Sequence, residues 1–552
     1  MSENGSKRGS AVLVDSPIFP TAPFSSRDLI DYALELAFRR GADTDITEFA
    51  RPGVYYGNNE RSSVHISKVA FEQVEDYEKV QLESGLEEDP NAVYWDNETD
   101  ASNPMNWSSV RKWTTICLLS LITLITPLAS SMFAPGVPQV LRTFDSTNDI
   151  LATLVVSIYI LGFALGPLVI APLSEMFGRV PLYNVSNVGF VAFTVACAAA
   201  QSLNMLIIFR FFAGCFGAAC LTIGGGTIAD LMPPEKRGGA MAVWATGPLL
   251  GPVIGPICGG FLVEAMGWRW VFWLLAILAG AISVACLICF RETYAPIILA
   301  RKAARLREES GNPDLRSKLD MGLTKRELLR RATIRPTKML VRSPIVAAMS
   351  LYSAFIFGIL YLLFATFTFV FEKQYGFGPS IVGLAFIGIG VGMLMGLILV
   401  GTLSDASLKR TKARGEPLKP EHRLPAWVVL PALCLPVGLL VYGWTAQYHV
   451  HWAVPIAGTM VIGFGGLCIH MCIQTYLVDA FTAQAASALA ANSVLRSVSG
   501  ALLPLASLNM YDKLGLNWGN SLLAFIGIAL IPVPLIFRLY GERIRSSRPV
   551  DL

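Results

Sequence analysis

A chain of 552 residues with 53% hydrophobic and 15% charged side chains, and a mean hydropathy of +0.52, is not an ordinary water-soluble enzyme. Its net charge of +4 is too small to point to nucleic acid. All ten cysteines (117, 197, 215, 220, 258, 286, 289, 434, 468 and 472) lie in apolar runs, so they read as buried small hydrophobes rather than a disulfide framework.

Residues 1–110 are polar and read as a largely disordered cytosolic tail with no cleaved signal peptide. Within them Asp28–Arg40 places Leu29, Ile30, Ala33, Leu34, Ala37 and Phe38 at helical spacing. That segment is either a short amphipathic helix on a membrane face or a transient helix in the tail.

From Trp113 onward, twelve apolar segments approach the ~20 residues that a bilayer crossing requires. They fall near 113–133, 150–171, 181–200, 204–227, 239–263, 269–290, 345–370, 380–402, 425–445, 451–476, 484–508 and 518–540. The expected fold is an all-α integral membrane protein of two six-helix halves, 111–290 and 344–541. A basic central loop, 291–343, divides them, and a short tail, 542–552, closes the chain. Basic residues crowd alternate loops: Arg111 and Lys112, Arg179, Lys236 and Arg237, the central loop, Lys409 to Arg414, and Arg543 to Arg548. The other loops carry little beyond Arg142, Arg269, Lys373 and Lys513. The positive-inside rule therefore places both termini and the central loop in the cytosol.

The halves echo one another. Leu173-Ser174-Glu175 with Gly178-Arg179 follows the second segment, and Leu403-Ser404-Asp405 with Lys409-Arg410 follows the eighth. Such internal repeats are common in secondary transporters. An acid and a base four residues apart at a helix end can pair locally or reach a neighbouring helix in one conformation, which is how a gating latch would work.

Arg210 sits among apolar residues inside the fourth segment, where a guanidinium is costly and calls for a functional explanation. Glycines at 247, 251, 255 and 259 step by four, giving one helix a side-chain-free stripe. Pro248, Pro252 and Pro256 interrupt its backbone donors once per turn, so a bent, closely packed membrane helix is expected. No Asp or Glu lies near the middle of a segment, and His470 in the tenth reads first as a hydrogen-bonded packing residue. Aromatics crowd the seventh segment; Phe357, Tyr361 and Phe364 are candidates for lining a substrate cavity, with Gln474 and Asn492 as orienting groups.

Together these stretches resemble signature motifs of the major facilitator superfamily. Leu173 to Arg179, Arg210 with Gly214 and Gly217, and Gly251 to Gly260 each match one, the last resembling the antiporter motif of proton-driven exporters. Asn103-Pro104-Met105-Asn106-Trp107, and Tyr476 to Asp479 followed by Ser487 to Asn492 and Arg496, are similar to the fungal twelve-span drug:proton antiporter branch. The resemblance spans about residues 90–540. Departures are Ala171 for a glycine, Glu175 for an aspartate and Val180 for a second base.

The resemblance implies a monomeric exporter of hydrophobic or amphipathic small molecules, drugs or a secondary metabolite, in the plasma membrane. It needs no cofactor beyond a transmembrane proton gradient and binds no nucleic acid. By the same resemblance Arg210 serves proton coupling, and Glu175, Gly178, Arg179 and Asp405 form the gating latch. Gly247, Gly251, Pro252, Gly255, Pro256, Gly259 and Gly260 make the antiporter-motif helix, and Arg496 joins the cavity candidates. A polyamine exporter or a non-transporting receptor of the same fold are the alternatives. No nucleotide loop, metal cluster or nucleophile arrangement suggests an enzyme.

Overall fold

The computed structural model describes residues 91–97, 99–319, 325–413, 420–481 and 484–547, without the side chains of 234–235, 325–326, 328–333, 404–413, 426, 486 and 546–547. The expected tail helix over Asp28–Arg40 lies outside the described residues.

A two-residue strand, β1 (Ala92–Val93), precedes the first half. That half holds α1 (Ser109–Ser131), α2 (Val137–Thr143), α3 (Asp149–Phe177), α4 (Arg179–Ala198), α5 (Leu203–Leu231), α6 (Pro234–Met266) and α7 (Trp268–Cys289). The connecting segment is not the plain loop expected. It carries α8 (Ala295–Ser310), β2 (Arg316–Ser317), which pairs in parallel with β1, and α9 (Lys325–Arg342). The second half holds α10 (Pro344–Tyr375), α11 (Pro379–Ala385), α12 (Ile387–Ala413), α13 (Val429–Gln447), α14 (Ala453–Ala480), α15 (Ala485–Leu502), α16 (Ser507–Leu530) and α17 (Pro532–Ser547).

Helix starts follow capping chemistry. Asn148 Oδ1 accepts the Ile150 and Leu151 amides, and Ser108, Ser202 and Ser343 hydroxyls do the same for α1, α5 and α10.

Among the described residues, eleven stretches are long and apolar enough to cross a membrane, and the last, Ser487–Arg545, runs for 59 residues. A straight helix of that length would reach about 90 Å, against a hydrocarbon core of about 30 Å. It breaks instead at Leu503–Ala506 and at Gly515 (φ 74°), so it has room for two crossings, which would make twelve among the described residues. The turn between them lies at Gly515, inside the 508–518 gap read from hydropathy.

The two halves pack by one pattern. In the first, α1 lies along α6, α3 along α5, and α4 against α5 and α7. In the second, α10 lies along α15, α12 along α14, and α13 against α14 and α16. Between halves, α3 meets α15, while α6 meets α11 and α12. The amphipathic α9 touches both α3 and α15. All ten cysteines are free; five are buried and two half-buried, but Cys117, Cys258 and Cys289 face outward, against the expectation that all are buried.

Candidate functional site

The glycine stripe is a seam within the first half. A Cβ on Gly247 would stand 2.8 Å from Leu124 N, and one on Gly251 2.9 Å from Leu128 N. At Gly255 it would stand 2.5 Å from Ser131 Oγ, and at Gly259 it would run into the Met132 carbonyl. All four therefore let α6 lie backbone to backbone on α1, the close approach that small residues permit. Despite Pro248, Pro252 and Pro256, α6 remains one helix over its full length. Gly260 points elsewhere, toward Pro379 and Gly383 of the second half.

Arg210 is 1% exposed. Its guanidinium donates to the carbonyls of Ala129 (3.4 Å), Ser130 (3.2 Å) and Val156 (3.5 Å). Ala129 and Ser130 lie in the last turn of α1, where carbonyls have no intrahelical donor, so the cation caps that helix at the negative end of its dipole. The rings of Phe133, Tyr159 and Phe272 lie 5.1, 5.2 and 5.7 Å from it. A cavity of about 10 Å³ opens beside it. No described carboxylate pairs with it. Arg210 thus ties α5 to α1 and α3 rather than reaching for an interface.

At the end that carries the basic loops, Arg179 does not join Glu175. It donates to Ser174 Oγ (2.8 Å) and Asp230 (3.3 Å) and lies over the Tyr294 ring at 4.5 Å. Glu175 itself is exposed. Glu292, which sequence reasoning missed, accepts the Arg179, Val180, Thr293 and Tyr294 amides and so caps α4. Gly178 stands at φ 99°, and a Cβ there would run into that Glu292 carboxylate.

The matching feature in the second half is Arg423, which donates to Asp479 at 2.6 Å. Arg179–Asp230 and Arg423–Asp479 each join the start of the third or ninth crossing to the end of the fourth or tenth. The signal was present in Asp230 and Asp479 at matching segment ends. Asp405 lies in α12, and its side chain is outside the described residues.

The cavity candidates divide. Phe364 is fully buried against Tyr361 and Phe386, inside the second half. The Tyr361 hydroxyl crosses to the first half and shares a hydrogen bond with Ser130 Oγ at 3.3 Å. Phe357 lies 4.5 Å under the Arg496 guanidinium, whose NH1 donates to His470 Nε2 at 3.0 Å. Gln474 Nε2 donates to the same nitrogen at 3.3 Å, so the ring proton sits on Nδ1 and is donated to Ser353 Oγ at 3.0 Å. His470 is therefore one member of a polar cluster on α10, α14 and α15. Asn492 is fully buried.

The halves also touch at the end away from the basic loops. Thr368 Oγ1 donates to the Ala134 carbonyl (3.1 Å), the Ser380 amide to Glu264 (3.0 Å), and Arg142 to Glu372 (2.5 Å). A pocket of about 280 Å³ lies there, lined from one half by Gln139 and Arg142 and from the other by Thr368 and Glu372.

Two six-helix halves related by a repeated packing pattern, with a cation buried in the first, have the architecture of a membrane transporter. The chain belongs to the major facilitator superfamily: the family model described as Major Facilitator Superfamily matches residues 119–504. It is 53% identical over 463 residues to "Efflux pump radE" of Floropilus chiversii, covering 83% of this chain and 86% of that one. "MFS-type transporter penM" of Penicillium rubens is 54% identical over 459 residues, covering 83% and 90%. Among solved structures, the proton:xylose symporter XylE aligns with TM-score 0.56 at 15% identity over 80% of this chain and 100% of that one, a likeness of fold. The chain is accordingly a multi-pass membrane transporter and not an enzyme.

Proposed function

We propose that this transporter exports hydrophobic or amphipathic small molecules, drugs or a secondary metabolite, across the plasma membrane by alternating access in exchange for protons. The basic end and both termini face the cytosol in this reading, in keeping with the positive-inside rule. The observation that carries it is the closure of the opposite end by the glycine–proline helix, whose Gly260 meets Pro379 and Gly383. With that end sealed, cargo in this reading loads from the cytosolic side. The similarity to radE, named as an efflux pump, supports the same direction.

Arg210 has its guanidinium held by three carbonyls and a small, mostly apolar cavity at its side. A proton or water passing there would change how α1 is capped, which is how coupling would reach the α1–α6 seam. Glu264, Asp230 and Asp479 all sit at helix ends.

The test is flux. Everted vesicles containing the full chain should accumulate substrate when a pH gradient is imposed. Accumulation unchanged after the gradient is collapsed overturns proton coupling, and absence of any flux overturns export. Deleting the gene while profiling drug sensitivity and the extracellular metabolome separates a general pump from a dedicated exporter.

A further inference from the structure

The polar cluster of the second half carries several buried polar atoms without partners. Asn492 and Ser350 are both fully buried, and neither Asn492 amide atom nor Ser350 Oγ has a hydrogen-bond partner. Arg496 Nε is buried and unpartnered as well. Buried polar atoms are nearly always paired, so several orphans on three touching helices call for an explanation.

Their register supplies one. Ser353, His470 and Arg496 are joined by hydrogen bonds and fix one layer across α10, α14 and α15. Ser350 lies three residues before Ser353, Gln474 four after His470, and Asn492 four before Arg496. These steps keep the same helix faces. Because α10 and α15 run away from the basic end and α14 runs toward it, all three steps lead toward the basic end. Ser350, Gln474 and Asn492 therefore form a second layer, one turn closer to the side from which cargo would load.

The charge in this layer pair is unbalanced. His470 receives hydrogen bonds on Nε2 and is neutral, and among the described residues Arg496 has no carboxylate partner. The Nε of both arginines is open, but Arg210 donates to three carbonyls, whereas Arg496 has one imidazole nitrogen and the Phe357 ring. A buried guanidinium in that condition favours an incoming oxyanion and disfavours a second cation.

We propose that Arg496, Asn492 and Ser350 form the anchoring subsite for the acidic end of an amphipathic substrate: a carboxylate, phenolate or enolate with a neighbouring hydroxyl. The oxyanion accepts from Arg496 Nε and Asn492 Nδ2, and the hydroxyl donates to Asn492 Oδ1. The apolar body lies against Phe357 and Tyr361, whose rings are 4.9 Å apart. This rests on the export reading above for its cargo, while the binding itself stands apart from flux. It also separates the chain from a polyamine carrier, because a polycation would meet an uncompensated arginine.

The experiment compares two dyes on one xanthene framework, fluorescein as the oxyanion and rhodamine 6G as the cation. Binding is measured by fluorescence polarisation on the purified full chain and transport in reconstituted vesicles. Fluorescein should bind at least about tenfold more tightly than rhodamine 6G. Asn492→Ala and Ser350→Ala should weaken fluorescein severalfold to about tenfold without weakening rhodamine 6G, and Arg496→Gln should abolish the preference. The alanine variants keep the test available should Arg496→Gln fail to fold, which a melting curve reports. Equal affinity for the dyes, no fluorescein binding, or equal losses for both dyes in the variants overturns the subsite. Selective binding without flux supports the subsite and overturns export instead.

Discussion

Gly260 of the first half and Gly383 of the second meet backbone to backbone. A Cβ on Gly260 would stand 3.2 Å from Gly383 Cα, and one on Gly383 would stand 2.5 Å from the Pro256 carbonyl. Rigid backbone lines both sides, so a side chain at either position acts as a wedge between the halves. Gly383→Val should therefore open this end and bias the transporter away from the closed arrangement. Labelling of a cysteine placed at Gln139 by a membrane-impermeant thiol reagent should become at least about tenfold faster, an equilibrium shift worth about 1.4 kcal/mol. Unchanged labelling would show that this contact does not hold the end shut.

Nearby, the Arg142–Glu372 pair also crosses between halves, but its side chains are 72% and 37% exposed. Exposed pairs contribute about 0–1 kcal/mol and are screened by salt. Glu372→Gln should speed the same labelling only severalfold, with the effect shrinking at high ionic strength. The reversed pair Arg142→Glu with Glu372→Arg should restore the original rate.

Arg210 satisfies two terminal carbonyls of α1 and one of α3 with a forked donor. A lysine offers a point charge on a stem of different reach and cannot reproduce that fork. Arg210→Lys should lower transport at least about tenfold while leaving a folded, membrane-inserted chain, and Arg210→Gln should also lower the melting temperature. Flux and melting curves on the same preparations check both.

At the basic end, Gly178 stands at φ 99° and ψ 169°, a conformation open in practice only to glycine. Gly178→Ala adds backbone strain of about 1–3 kcal/mol and drives a methyl into the Glu292 carboxylate that caps α4. The variant should melt several degrees lower and yield less protein. Asp230→Asn and Asp479→Asn should have matching, smaller effects, because Arg179–Asp230 and Arg423–Asp479 are counterparts in the two halves. Disparate effects would deny that equivalence.

In the α6 seam, severity should rank by what the added Cβ meets. Gly259→Ala drives into the Met132 carbonyl and should be the most disruptive, whereas Gly251→Ala meets atoms at 2.9 Å and beyond. Thermal stability of the two variants tests the order.

Much of this was legible in the chain. Long apolar runs with alternating basic loops mark the crossings, since a bilayer demands about twenty apolar residues whatever the neighbours are. Four-residue glycine spacing is a local signal of the same kind. The family was readable from Leu173 to Arg179, Arg210 and the glycine–proline run. Spacing left Glu175 and Arg179 either to pair locally or to reach a neighbouring helix. The structure joins Arg179 to Asp230, 51 residues away, and puts Glu292 on the helix start. His470, likewise, was readable as a packing residue but not as the partner of Arg496.

The sequence by itself determined twelve crossings, two duplicated halves and a glycine–proline helix with one bare face, because periodicity and composition act over a few turns. Only the tertiary structure decided that this face lies on α1, that Pro256 and Gly260 meet Gly383 across the halves, and that Arg210 donates to three carbonyls while Arg496 donates to one imidazole nitrogen. Which carbonyl, ring or carboxylate meets a buried cation depends on helices brought together from distant parts of the chain, and no local pattern records that.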